Sequence, residues 1–199
     1  MSELFLQKLR LKRESIENFN KYPFNIEIFK NFESLSFDNP VTFIIGENGV
    51  GKSTFIEALA VKCGLNAEGG TQNFKFSTRS THSCLYEYFE INHFQRKCET
   101  KFFLRAESFY NVASEIDSLR VAGYGQNSLH ACSHGESFLQ LIENRFTPDG
   151  LYILDEPEAA LSPTRQMTLL CLIHELANQG CQFIIATHSP ILISYKGGK

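Results

Sequence analysis

The sequence predicts an α/β fold: a mostly parallel sheet flanked by helices, with an N-terminal antiparallel β portion ahead of it. Three observations predict it. Val41-Thr42-Phe43-Ile44-Ile45 is an apolar run of strand length, Gly46-Glu47-Asn48-Gly49-Val50-Gly51-Lys52-Ser53-Thr54 is a glycine-rich loop, and Ser53 to Cys63 sets Phe55, Leu59 and Cys63 on one helical face. Leu151-Tyr152-Ile153-Leu154 is a second short apolar run, and it delivers Asp155-Glu156 to its C-terminal end, where open α/β sheets place their ligands. The third, Gln182 to Ala186, ends in Thr187-His188-Ser189-Pro190 and brings a histidine to the same edge.

The first of these is a complete phosphate-binding loop in its proper setting. Glycines let the backbone curl so that successive N–H groups from Asn48, Gly49, Val50, Gly51, Lys52, Ser53 and Thr54 point at a phosphate, and the helix N-terminus adds its partial positive charge. Lys52 is expected to reach the β- and γ-phosphates from near the loop surface, and the Ser53 hydroxyl to ligate Mg²⁺. A glycine-rich turn capping a helix is the plain structural alternative. Asp155-Glu156 forms a Walker B pattern, in which Asp155 holds Mg²⁺ through its water shell and Glu156 accepts a proton from the attacking water. An acidic turn ended by Pro157 is its alternative. His188 is placed to hydrogen-bond a γ-phosphate, or else is an ordinary polar cap.

Between these runs lies Ser133-His134-Gly135-Glu136-Ser137, ahead of the amphipathic stretch Phe138-Leu139-Gln140-Leu141-Ile142. A serine N-cap with a nearby glutamate explains the pentapeptide locally. It also resembles the signature loop of ATP-binding-cassette (ABC) ATPases, usually Leu-Ser-Gly-Gly-Gln. Ser133, Gly135 and Glu136 match by type, while His134 replaces the first glycine and Cys132 the leucine. The order Walker A, signature, Walker B, histidine is the ABC order. Ala159-Ala160-Leu161-Ser162 falls at the D-loop position, with Ser162 for the customary Asp; Ser162-Pro163 also suits an N-cap and first-turn proline.

The chain is similar over nearly its whole length to compact, stand-alone bacterial ATPases of the ABC and double-strand-break-repair type. Asn66-Ala67-Glu68-Gly69-Gly70, Phe76-Ser77-Thr78-Arg79, Leu104 through Val112, Leu154 through Pro163 and Ile185 through Leu192 carry that similarity, with the signature pentapeptide. The resemblance implies ATP and Mg²⁺ as ligands, ATP hydrolysis, and a head-to-tail homodimer with two nucleotides at its interface. There Ser133, Gly135 and Glu136 complete the partner's site. What the motor would drive has three readings: a nucleic-acid or defence-linked process worked through an effector, suggested by Glu158 after Walker B; the ATP-binding subunit of a membrane transporter; or a dimerisation switch with negligible turnover. ABC ATPases carry a glutamine after the strand matching Lys101 to Arg105, and none follows it here; Arg105, Glu107 and Gln126 are the candidates for its role. An adenine platform is open among Tyr22, Phe24, Phe29 and Phe32.

The rest of the chain fits one domain over residues 1–199, with roughly 64–132 as an inserted segment too short for a long heptad coiled coil. Leu4 to Phe37 is the antiparallel portion, Leu85 to Ile91 alternates like a further strand, and a helix is expected at Asn111 to Leu119. Of 199 residues 43% are hydrophobic, enough for an α/β core in which most of the eighteen Phe are buried. No signal-peptide pattern or eighteen-residue apolar run occurs, so a cytoplasmic protein with no membrane insertion is expected. Six cysteines without a Cys-x-x-Cys pair predict reduced core thiols. The formal net charge of −3 gives no drive toward nucleic acid, and Lys8, Arg10, Lys12 and Arg13 read as a solvent-facing strand edge. Relatives continue past the histidine segment, so an edge of the sheet is expected to be missing after Lys199.

Overall fold

The computed structural model describes residues 4–70, 83–92, 96, 98–109 and 134–199. Ser133, Gln126, the helix expected at 111–119 and most of the inserted segment lie outside them. Two sheets organise the described residues. The larger is parallel and the smaller is antiparallel.

The antiparallel sheet holds β1 (Lys8–Leu11), β2 (Ser34–Ser36) and β4 (Phe89–Ile91), with β1 at its centre. A short helix α1 (Glu27–Asn31) joins β1 to β2 across the chain's N-terminal segment. The parallel sheet has the order β3 (Val41–Ile45), β7 (Gln182–Thr187), β6 (Gly150–Asp155), β5 (Thr100–Arg105). β6 and β7 are buried at every position, as their unbroken apolar runs demand of strands covered on both faces.

The period of two along these strands divides the core. Phe102, Leu104, Tyr152, Leu154, Phe183 and Ile185 face the side covered by α3 (His134–Arg145), α4 (Pro163–Asn178) and α5 (Pro190–Ile193). Phe103, Leu151, Ile153, Ile184 and Ala186 face α2 (Lys52–Lys62) and, beyond it, the antiparallel sheet. Because α2 lies between two sheets it buries Phe55, Ile56, Ala58, Leu59 and Ala60, more than the single face its spacing predicts. Among the described residues thirteen Phe are buried, which removes most of them as free surfaces.

The structure corrects the readings of the Leu85 stretch, of the basic N-terminal run and of the cysteines. The stretch from Leu85 is mostly a 3-10 turn, Cys84–Tyr88, started by the Ser83 side chain accepting the Leu85 N–H, and only Phe89–Ile91 pairs as a strand. Lys8 and Arg10 do alternate outward, but on the central strand; Arg10 pairs with Glu14 and Glu90 at 2.8 and 3.1 Å. Arg13 donates to the Phe29 and Phe32 carbonyls and covers the Phe19 ring. The outer edge of β3 is met by the last residues, with Val41 bridging Gly198 in parallel and Phe43 N–H donating to the Lys199 carbonyl at 2.8 Å. Of the cysteines, Cys63 and Cys181 are core thiols, whereas Cys84 and Cys171 are exposed.

Candidate active site

The glycine loop runs from the end of β3 to the first residue of α2, so its position follows from the parallel sheet beneath it. Gly49 and Gly51 take positive φ, 84° and 103°, and Gly51 forms the N-cap of α2. A Cβ on Gly51 would stand 2.9 Å from Ile26 and 3.2 Å from Ile28, so glycine is required there by conformation and by the N-terminal segment packed over the loop. A cleft of about 350 Å³ opens beside it, lined by Ile26, Asn48, Gly49, Gly51, Lys52, Ser53, Thr54 and Glu156. The aliphatic Ile26, not one of the four aromatic candidates, borders this cleft; Phe24 and Phe29 are buried, and Phe32 packs on Phe55. A depression of about 370 Å³ beside Val41, His174 and Tyr195 carries no comparable loop of backbone amides.

Lys52 departs from expectation. It is only 4% exposed, and its ammonium turns back to donate to the Gly46 and Glu47 carbonyls at 2.8 and 2.9 Å. A desolvated ammonium with three donors needs acceptors, and the loop's own carbonyls are within reach. Glu156 Oε1 stands 4.0 Å from the same nitrogen.

Ser53 and Asp155 meet across 102 residues of sequence, the hydroxyl donating to Asp155 Oδ1 at 3.3 Å. Asp155 is 2% exposed, and burial pushes its carboxyl up to about 6 despite the opposing pull of Arg105; the Glu156 charge adds to the rise. Arg105 is held opposite Asp155 by the β5–β6 register, with Nε 3.3 Å from Asp155 Oδ2. That approach is an ion pair without hydrogen-bond alignment, since Nε is buried with no partner by hydrogen-bond geometry. The guanidinium also donates to Glu57 at 3.2 Å and lies 3.4 Å from Glu107.

Glu156 adopts the left-handed conformation, φ 47° and ψ 51°, uncommon for a residue other than glycine, while its N–H donates to the Ala186 carbonyl at 2.9 Å. From there its carboxylate faces Lys52 on one side and His188 on the other, Oε1 to Nδ1 being 4.0 Å. Glu158, in the following 3-10 turn Pro157–Ala160, accepts the His188 N–H at 2.8 Å and approaches its Nδ1 at 3.3 Å. The Glu158 side chain is 7% exposed, and its Oε2 is buried without a hydrogen-bond partner among the described residues. Behind the histidine, Ser189 Oγ donates to Gln166 Oε1 at 2.6 Å and Gln166 Nε2 donates to the Leu161 carbonyl at 3.1 Å. This buried pair joins the Thr187-His188-Ser189 segment to the Ala159-Ala160-Leu161-Ser162 segment. Ser162 and Pro163 do begin α4, although the Ser162 hydroxyl caps no N–H.

The structure therefore brings Lys52, Ser53, Asp155, Glu156 and His188 to one edge of the parallel sheet. Gly135 and Glu136 are not in that cleft. They open α3 against the turn before α4, where Glu136 pairs with Arg165 at 3.0 Å and a Cβ on Gly135 would lie 3.0 Å from the Ala160 carbonyl. Glu57 and Ile26 were not legible as neighbours of the site from sequence. Arg105 was signalled only by its place at a strand end.

A family described as "AAA domain" matches residues 15–127, more than half of the chain, and a second, "AAA domain, putative AbiEii toxin, Type IV TA system", matches residues 137–194. The chain belongs to the AAA domain family and is an ABC-type P-loop ATPase by family and fold. Among individual proteins it is 26% identical over 179 residues to an uncharacterized ABC transporter ATP-binding protein of Haemophilus influenzae, covering 80% of this chain and 68% of that one. It is 25% identical over 201 residues to a hemin import ATP-binding protein of Bartonella henselae, covering 87% and 74%. The SMC head domain from Thermotoga maritima shares its fold with a TM-score of 0.53 at 17% identity, over 96% of this chain and 92% of that chain. Among the described residues no helix is long and apolar enough to cross a membrane.

Proposed function

We propose that the protein binds ATP with Mg²⁺ and hydrolyses it as a nucleotide-sandwich homodimer. The observation that carries this reading is the convergence of Lys52, Ser53 and Glu156 on one cleft beside the glycine loop, with Asp155 against Ser53 and His188 beside Glu156. The N–H groups of Asn48 to Thr54 and the Lys52 ammonium hold the phosphates, with Lys52 leaving the Gly46 and Glu47 carbonyls to do so. Ser53 Oγ and the Asp155 carboxylate suit Mg²⁺, a hard cation that takes oxygen ligands, and the buried Asp155 carboxylate sits where its charge calls for a cation. When bound with nucleotide, Mg²⁺ supplies positive charge to the phosphate oxygens. Glu156 acts as general base for the attacking water, and His188 contacts the γ-phosphate. Ser133, Gly135 and Glu136 complete the site of a partner subunit, as the resemblance to ABC signatures implies.

Within the cell the motor or switch serves a nucleic-acid or defence-linked process, which the repair-type resemblance and the SMC-like fold favour. A transporter subunit is the second reading, favoured by the names of the Haemophilus and Bartonella relatives. Glu156→Gln tests the core of the proposal. It keeps the shape of the site and removes the proton acceptor, so the variant is expected to form an ATP-stabilised dimer on size-exclusion chromatography. Its hydrolysis is expected to fall by on the order of 10² or more, the scale of a lost general base. Near-normal turnover would reassign the base, and a monomer under Mg-ATP would remove the sandwich.

A further inference from the structure

Arg105 is one of the three candidates for the role of the ABC glutamine, and its surroundings give it a different task. Its guanidinium is shared among three carboxylates, Asp155 at 3.3 Å, Glu57 at 3.2 Å and Glu107 at 3.4 Å; the contact with Glu57 is the one made as a hydrogen bond, and the Nε that faces Asp155 has no hydrogen-bond partner. Asp155 belongs to the oxygen pair assigned above to a divalent cation, so two cations have a claim on one buried carboxylate. A guanidinium and Mg²⁺ repel each other at such range in a poorly solvated site. The other two carboxylates matter because they give the guanidinium somewhere to stay. Glu57 lies on α2, the helix that begins with Lys52 and Ser53, and Glu107 is solvent-exposed just past β5.

We propose that Arg105 is the resident counter-cation of Asp155 in the nucleotide-free protein and is exchanged for the divalent cation that enters with nucleotide, moving onto Glu57 and Glu107. Arg105 thereby sets the magnesium concentration at which the site takes nucleotide. This rests on the reading of Ser53 and Asp155 as the metal pair. The exchange keeps the buried carboxylate neutralised in both states, and it transmits metal entry to α2 through Glu57 and to the segment after β5 through Glu107.

The test measures binding of a fluorescent, non-hydrolysable ATP analogue by the full chain at a series of free Mg²⁺ concentrations. Arg105→Gln removes the competing cation and is expected to lower the Mg²⁺ midpoint about tenfold. Glu107→Gln, at an exposed position where the fold tolerates change, takes away one resting place and is expected to raise the midpoint several-fold. In the double variant the effect of Glu107→Gln should vanish, because no guanidinium remains to be relocated; a general change in local field would instead persist in both backgrounds. An unchanged or raised midpoint in Arg105→Gln, or equal effects of Glu107→Gln with and without Arg105, would overturn the proposal. Asp155→Asn separates this from the underlying assignment: retention of the wild-type midpoint by that variant would remove the metal pair itself, whatever Arg105 does.

Discussion

At the scale of single residues, Lys52 and Asp155 are charged groups that the fold buries. Lys52→Ala is expected to abolish nucleotide binding and also to lower stability, by on the order of 1 kcal/mol, because the Gly46 and Glu47 carbonyls lose their donor. Nucleotide titration and thermal melts read the two effects separately; unchanged affinity would sink the phosphate-loop assignment. Asp155 carries the opposite burden, a carboxyl raised by burial from 3.8 to about 6. The folded state binds that proton more tightly than the unfolded chain, so this group's contribution to stability falls as pH rises from about 4 to about 6 and stays low above. Without metal or nucleotide, Asp155→Asn is therefore expected to melt a few degrees higher than wild type at pH 8, roughly 1 kcal/mol, and to lose that advantage near pH 4. A lower melting point at pH 8 would mean that the Arg105 and Ser53 contacts outweigh the desolvation.

At the scale of elements, the loop and helix around Gly51 are held by the N-terminal segment above them as well as by β3 below. Gly51→Ala meets both a positive φ and Ile26 at 2.9 Å, whereas Gly49→Ala meets a positive φ and open space. The first is expected to cost about 2 kcal/mol or more and to weaken nucleotide binding strongly; the second should cost about 1 kcal/mol. Melts and nucleotide titrations of the two variants side by side check this, and equal losses would show that Ile26 yields freely. The same scale shows why the stretch from Leu85 resisted reading. Its alternation fits a strand, but the Ser83 side chain offers the backbone a local turn, and α2 packs against the result.

For the whole molecule, the arrangement of charge decides how it meets nucleic acid. Arg10 is committed to Glu14 and Glu90, and Arg13 to backbone carbonyls, so the two arginines of the basic run near the N-terminus offer little to a phosphate backbone. The nucleotide-free protein is expected to bind duplex DNA weakly, with a shallow dependence on salt, as few phosphates would be neutralised. Tight binding with a steep salt slope, measured by fluorescence anisotropy without nucleotide, would contradict this.

The sequence by itself determined the parallel sheet, the glycine loop and the identities of Lys52, Ser53, Asp155, Glu156 and His188. Each of these is written locally: an apolar run of strand length ends where the candidate residue or its loop begins, and a parallel sheet places all such ends at one edge. Tertiary structure alone decided what those residues touch. The β5–β6 register sets Arg105 against Asp155, the left-handed turn at Glu156 aims its carboxylate between Lys52 and His188, and the N-terminal segment closes over Gly51 with Ile26. No local pattern encodes these contacts, because they join residues tens of positions apart and depend on which buried charges lack a nearer partner.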